Sequence, residues 1–181
     1  MTILDLWLPI LVAGVVCFLA SSVIWAVLKY HNRDYSSTDR EDDVRAALKG
    51  AKPGYYILPY CADYADMEKP EMKQKLSDGP VAYISVAPNG MPAMGPKMFS
   101  MLIYFLLVSV ICAYIVTRTI APDADYLAVF RIAGTVAFIA NGLAVIPESI
   151  WFARPWPMTV KNMFDALVYA LLTGGIFGWL V

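Results

Sequence analysis

The chain has 181 residues, of which 59% are apolar and 16% charged, and its net charge is −1. Soluble domains are roughly 45–50% apolar and about 25% charged, so this composition belongs to an integral membrane protein with room for one small bundle and one modest extramembrane segment. The near-neutral balance supplies neither the basic surface that nucleic acid requires nor a polybasic lipid-binding tract.

The first apolar run, Leu6 to Leu28, is 23 residues long without a charged side chain. At the rise of an α-helix it extends about 34 Å, enough to cross a hydrocarbon core of roughly 30 Å. It reads as a retained transmembrane helix rather than a signal peptide. Its start lacks a positive n-region and carries Asp5, and its apolar stretch exceeds the usual length of an h-region. Of the three cysteines, Cys17 and Cys112 lie inside apolar runs, where they act as small hydrophobes, and Cys61 stands apart. No disulfide framework and no C-x-x-C metal site follow from that spacing.

The segment after this span has the signals of a folded unit. Thr38-Asp39-Arg40-Glu41 has the form of a capping box, Val44, Ala47 and Leu48 follow at helical spacing, and Gly50 supplies a stop. A helix over about 39–49 is predicted. Tyr55–Tyr60 is rich in strand formers, with Pro59 marking an edge. Pro70 opens a second short helix, to about residue 77, and Val81–Val86 forms another strand before the turn Pro88-Asn89-Gly90. The expected product is a small α/β cap over residues 30–96, flanked by a first transmembrane helix at 1–29 and three more in 97–181. Two strands are marginal in water, so the cap should lean on the bundle or on a partner.

The second span is uncharged from Met98 to Thr117. The third, Tyr126–Ile146, carries Arg131, and the fourth, Asn162–Val181, carries Asp165. Tyr126, Trp151, Trp156 and Trp179 flank them as interfacial aromatics. Connections of about Arg118–Asp125 and Glu148–Lys161 are short enough to make adjacent helices antiparallel neighbours. Lys and Arg number 12 in the large loop and the Glu148–Lys161 connection, against Arg118 alone on the other side. That bias places the large loop in the cytoplasm and both termini on the opposite side.

Ionisable side chains inside spans are the first candidates for function, because lipid penalises them. Arg131 is expected to snorkel or to pair with Asp5 or Asp125, or else to contact an anion. Glu148 and Asp165 mark the inner ends of spans three and four. Lys161 and Asp165 are four apart and share a helix face. The two carboxylates could stabilise an interfacial hairpin or coordinate a proton or cation. Asn141 suits interhelical hydrogen bonding, and Arg131, Thr135, Asn141 and Glu148 make a partial polar stripe along span three. Gly174-x-x-x-Gly178 permits close helix approach, either within the bundle or against another subunit, with Gly134 and Gly142 as possible counterparts.

Met91, Met94, Met98 and Met101 recur at spacings of three and four and could offer soft ligands to Cu(I), but a turn followed by an apolar helix explains them more simply. His31 is the only histidine. It reads as an interface anchor near Tyr30 and Tyr35. With Cys61 it would supply too few ligands for a metal site. No nucleophile elbow, phosphate-binding loop or dinucleotide fingerprint occurs, and no cofactor is implied.

Tyr30-His31-Asn32-Arg33-Asp34-Tyr35, Tyr126-Leu127-Ala128-Val129-Phe130-Arg131 and the tail from Ser149-Ile150-Trp151 to Phe177-Gly178-Trp179-Leu180 resemble small uncharacterised bacterial inner-membrane proteins. The resemblance covers nearly the whole chain and implies a bacterial inner membrane, with no assigned activity. The expectation is an all-α polytopic membrane protein with four transmembrane helices and a small α/β cytoplasmic cap. The leading functional expectation is an accessory or scaffold subunit, in contact with membrane lipid and with other membrane subunits or itself. A small transporter or channel comes second, and a metal or redox protein third.

Overall fold

The structure is a computed structural model that describes residues 1–121 and 123–181. Four helical segments have the length and apolar character to cross a membrane: Ile3–Leu28, Met94–Thr119, Tyr126–Trp151 and Trp156–Leu180. Each is longer than its uncharged core suggests, because polar residues at helix ends lie at the interface and still accept helical geometry. The connection between spans three and four is therefore a short turn at residues 152–155 rather than the expected Glu148–Lys161, and both of those residues sit on helices. The expected connection at about Arg118–Asp125 includes Pro122, which lies outside the described residues.

The first span consists of α1 (Trp7–Ser22), preceded by a 3-10 turn and followed by a π-helical turn at Val23–Leu28. Lys29 then adopts φ 54°, in the left-handed region. That conformation is costly for a side chain with a Cβ, and it ends the helix abruptly. The chain turns into a 3-10 segment, Tyr30–Asp34. Span two is α4 (Met94–Thr119). Span three is α5 (Tyr126–Gly142), continued through a 3-10 turn into α6 (Ile146–Trp151), and span four is α7 (Trp156–Leu180). Asp125 caps α5 by accepting the Ala128 N–H at 2.8 Å.

Helices α5 and α7 form the most extensive pair. A Cβ on Gly174 would lie 2.8 Å from the Phe130 carbonyl oxygen, and one on Gly178 would lie 2.9 Å from that of Tyr126. The Gly174/Gly178 pattern is thus spent inside this bundle, on α5, and the opposite running of the paired numbers makes the two helices antiparallel. Bilayer lipid gives no hydrophobic drive for helix association, so small residues that let backbones approach do that work. Ala13, Ala133, Ala137 and Ala170 join Cys112, Val116, Val129 and Phe177 in the main core. A second cluster of Cys17, Ile24, Phe105 and Tyr169 packs separately.

Residues Ser36–Pro92 form a second compact unit. It holds α2 (Glu41–Ala47), β1 (Gly54–Leu58), α3 (Pro70–Asp78) and β2 (Ala82–Val86), with a further 3-10 turn at Tyr64–Glu68. The strands are antiparallel, with Gly54 opposite Val86 and Leu58 opposite Ala82. Pro59, which lacks a backbone donor, falls just past the end of β1. The predicted capping box does not form: Arg40 is the N-cap residue, and the Thr38 hydroxyl accepts the Arg40 N–H at 3.3 Å. That turn shortens the helix from the expected 39–49. Within this unit none of the side chains is fully buried. Residues 30–35, expected in the cap, belong instead with the helices.

Candidate functional site

The left-handed turn at Lys29 brings Tyr30, His31 and Asp34 against α7. His31 is only 2% exposed. Its Nδ1 lies 2.8 Å from Asp34 Oδ2, and its Nε2 lies 2.8 Å from Asp165 Oδ2. A neutral imidazole has one donor and one acceptor, and a carboxylate only accepts. Both contacts are satisfied together when the ring is an imidazolium, or when one carboxyl holds the extra proton. The Trp25 ring stacks on the imidazole with centroids 4.0 Å apart and planes within 5°.

The network continues on both sides. The Tyr30 hydroxyl donates to Asp165 Oδ1. Lys161, one turn before Asp165 on α7, donates from Nζ to Asp34 Oδ1 and to the Tyr30 carbonyl, the latter at 3.0 Å. The Lys161 hydrogen bond, helped by the one from His31, holds the Asp34 carboxyl below the usual carboxylate range against an opposing effect of burial. With His31 protonated the cluster carries two positive and two negative charges. Buried charge persists only where it is paired in this way.

A cavity of about 330 Å³ adjoins Asp165. Its polar wall comes from Tyr104 on α4, Asn141 on α5, and Asn162 and Tyr169 on α7; Trp25 and Met101 supply apolar wall. The Tyr104 hydroxyl donates to Asn141 Oδ1 at 3.1 Å, and Asn141 Nδ2 donates to the Ala137 carbonyl at 2.7 Å. Beyond Asp165 the buried polar residues of α7 recur every four positions, at Asp165, Tyr169 and Thr173. They face Ser21 and Cys17 of α1, with Cys17 Sγ 3.3 Å from Thr173 Oγ1 and Ser21 bonded to Tyr169. The stripe covers about 12 Å of helix and stops at Phe177, which is fully buried.

The predicted site residues divide accordingly. Asp165 stands at the centre and Asn141 lines the cavity. Glu148 is exposed on α6 and makes no pair with Asp165, whose carboxylate is taken by His31 and Tyr30. Lys161 and Asp165 share a face and both bind the Tyr30–Asp34 segment, Lys161 at Asp34 and the Tyr30 carbonyl, Asp165 at His31 and the Tyr30 hydroxyl. Arg131 lies exposed on α5, away from the network. Its expected partners are otherwise engaged: Asp5 accepts the Thr2 N–H at 2.6 Å, and Asp125 caps α5. The buried polar stripe runs along span four, not span three. His31 is no surface anchor but the bridge between two carboxylates. The spacing H-x-x-D after span one and K-x-x-x-D in span four was visible, but neither half shows that they meet. Met91 and Met94 are exposed. Among the described residues no group of three or more His, Cys, Asp or Glu is arranged to hold a metal ion, since the carboxylates sit on opposite edges of the His31 ring.

Comparison with protein-family models, with curated proteins and with solved structures gives no match.

Proposed function

We propose that the protein is a small proton- or cation-linked transporter of the bacterial inner membrane, with Asp165 as its binding carboxylate and His31 as its proton donor. One observation carries this reading: a carboxylate inside a membrane-spanning helix, buried to 3% exposure, faces both a histidine and a mainly apolar cavity whose wall includes amide and phenol groups. An ionisable residue at such a position is costly and by default functional. A cation that entered the cavity and bound Asp165 would displace the Nε2 proton of His31 to water. One positive charge enters and one leaves, and Asp34 and Lys161 keep the ring in place throughout. The bias of Lys and Arg supports a cytoplasmic side for the network and the loop. The resemblance in the Tyr30–Tyr35 and Tyr126–Arg131 segments supports a bacterial membrane.

The test is reconstitution into liposomes with an entrapped pH dye and imposed gradients of protons, sodium or potassium. Gradient-driven proton movement should be lost in Asp165→Asn and His31→Gln and kept in Glu148→Gln, whose side chain lies outside the network. Equal flux in all four proteins would remove the reading.

A second reading, an accessory subunit of a membrane complex, is favoured by the Ser36–Pro92 unit. It buries no side chain fully, and it leaves Tyr55, Tyr60 and Tyr64 largely exposed, as a segment that docks on a partner would. Co-purification of stoichiometric partners from native membranes would support it.

A further inference from the structure

A second cavity, of about 300 Å³, lies between α5 and α7, apart from the His31 network. Arg131, Thr135 and Phe138 line it from one face of α5, and Leu167 and Leu171 from α7. Its α7 wall is exposed on a membrane-spanning helix, so the groove opens to the bilayer. The backbones approach closely here, with Ala170 O 3.3 Å from where a Cβ on Gly134 would stand. That approach makes a floor for the groove. Arg131 is the sixth residue of α5, about 8 Å from its start, within snorkelling reach of the headgroup level. Among the described residues no ion pair includes it.

We infer that this groove holds one anionic phospholipid. The phosphate takes the bidentate fork of Arg131, with the Thr135 hydroxyl one turn below, and an acyl chain lies along Phe138, Leu167 and Leu171. Charge complementarity selects the occupant. A guanidinium on a lipid-facing surface without a protein carboxylate draws its anion from the membrane, and planar recognition of phosphate is what arginine does best. The apolar length from Arg131 to Phe138 is about 10 Å, suited to the first part of an acyl chain and not to a free anion.

The experiment is native mass spectrometry of the whole protein, loaded from micelles with phosphatidylglycerol or phosphatidylcholine of identical chains. Both lipids carry the phosphate that Arg131 takes, but choline offsets its charge, so retention of phosphatidylglycerol should exceed that of phosphatidylcholine several-fold. Arg131→Gln should erase the preference, and Arg131→Lys should keep part of it. Leu171→Trp, which fills the groove without touching the charge, should weaken both lipids. Equal retention of the two lipids by the wild type, or an unchanged preference in Arg131→Gln, would overturn the inference. So would displacement by millimolar inorganic phosphate together with indifference to Leu171→Trp, which would mark Arg131 as a site for free anions.

Discussion

Removing the Asp165 carboxylate should destabilise the protein, and the cost should depend on His31. Asp165 accepts two hydrogen bonds, from the Tyr30 hydroxyl and from His31 Nε2. Asp165→Ala leaves the buried His31 Nε2 without its partner, at about 1–3 kcal/mol, while the half-buried Tyr30 hydroxyl can turn to water at a smaller cost. Where the ring is an imidazolium, the substitution also leaves that cation with only Asp34 beside it. A broken buried ion pair typically costs about 3–5 kcal/mol, and the surviving Asp34 contact keeps the value toward the lower end. Asp165→Asn preserves shape and one acceptor and should cost about 1–3 kcal/mol, because its amide nitrogen cannot accept the second hydrogen bond. In Asp165→Ala/His31→Ala the stranded Nε2 partner is gone, so the double variant should be more stable than the sum of the singles by about 1–3 kcal/mol. Equilibrium unfolding in mixed micelles, titrated with SDS and followed by far-UV circular dichroism, measures the cycle. Additivity within about 0.5 kcal/mol would refute the network, because residues that do not interact add to that tolerance.

The other predictions concern packing and pH. Gly174→Ala places a methyl group 2.8 Å from the Phe130 carbonyl oxygen and should cost about 1–3 kcal/mol by overpacking. Gly175→Ala, whose Cβ would find its nearest neighbour at 3.7 Å, should be close to neutral in the same titration. Asp34 is held below the usual carboxylate range when folded, by Lys161 first and His31 second. Its contribution is therefore complete above the unfolded value of about 3.9 and lost as pH falls through the lower folded value. Unfolding titrations stepped downward from pH 5 should show a loss that is absent in Asp34→Asn; a parallel loss in that variant would assign the acid sensitivity elsewhere.

The membrane character of the fold was legible because runs such as Leu6–Leu28 carry no charge and have no other physical reading. Both strands and the helix at Pro70 were legible from β-rich runs and from proline at a helix start. Span ends were less so: hydrophobicity stops where charge begins, whereas helices α6 and α7 continue through Glu148 and Lys161 at the interface. The Gly174/Gly178 pattern announced close packing, but only the fold identifies α5 as its partner. For the candidate site, Asp165 and Asn141 could be found by position alone. Their partners could not, since His31 and Asp34 are more than 125 residues away from Lys161 and Asp165, and no local rule predicts that a left-handed lysine will fold that segment back onto α7. Arg131 and Glu148 attracted notice as charges in or near spans. The structure separates them from Asp165: both are exposed, Arg131 on α5 and Glu148 on α6, and a sequence position alone does not tell which face of a helix a residue takes.

Since His31 is the single histidine, selective 15N labelling of histidine reports on the network without assignment. The account rests on that ring lying between Asp34 and Asp165, so its N–H protons should exchange slowly with water. Asp165→Asn should move the Nε2 resonance more than that of Nδ1, and Asp34→Asn the reverse. A ring that exchanges as fast as free imidazole, with resonances indifferent to both substitutions, would contradict the account.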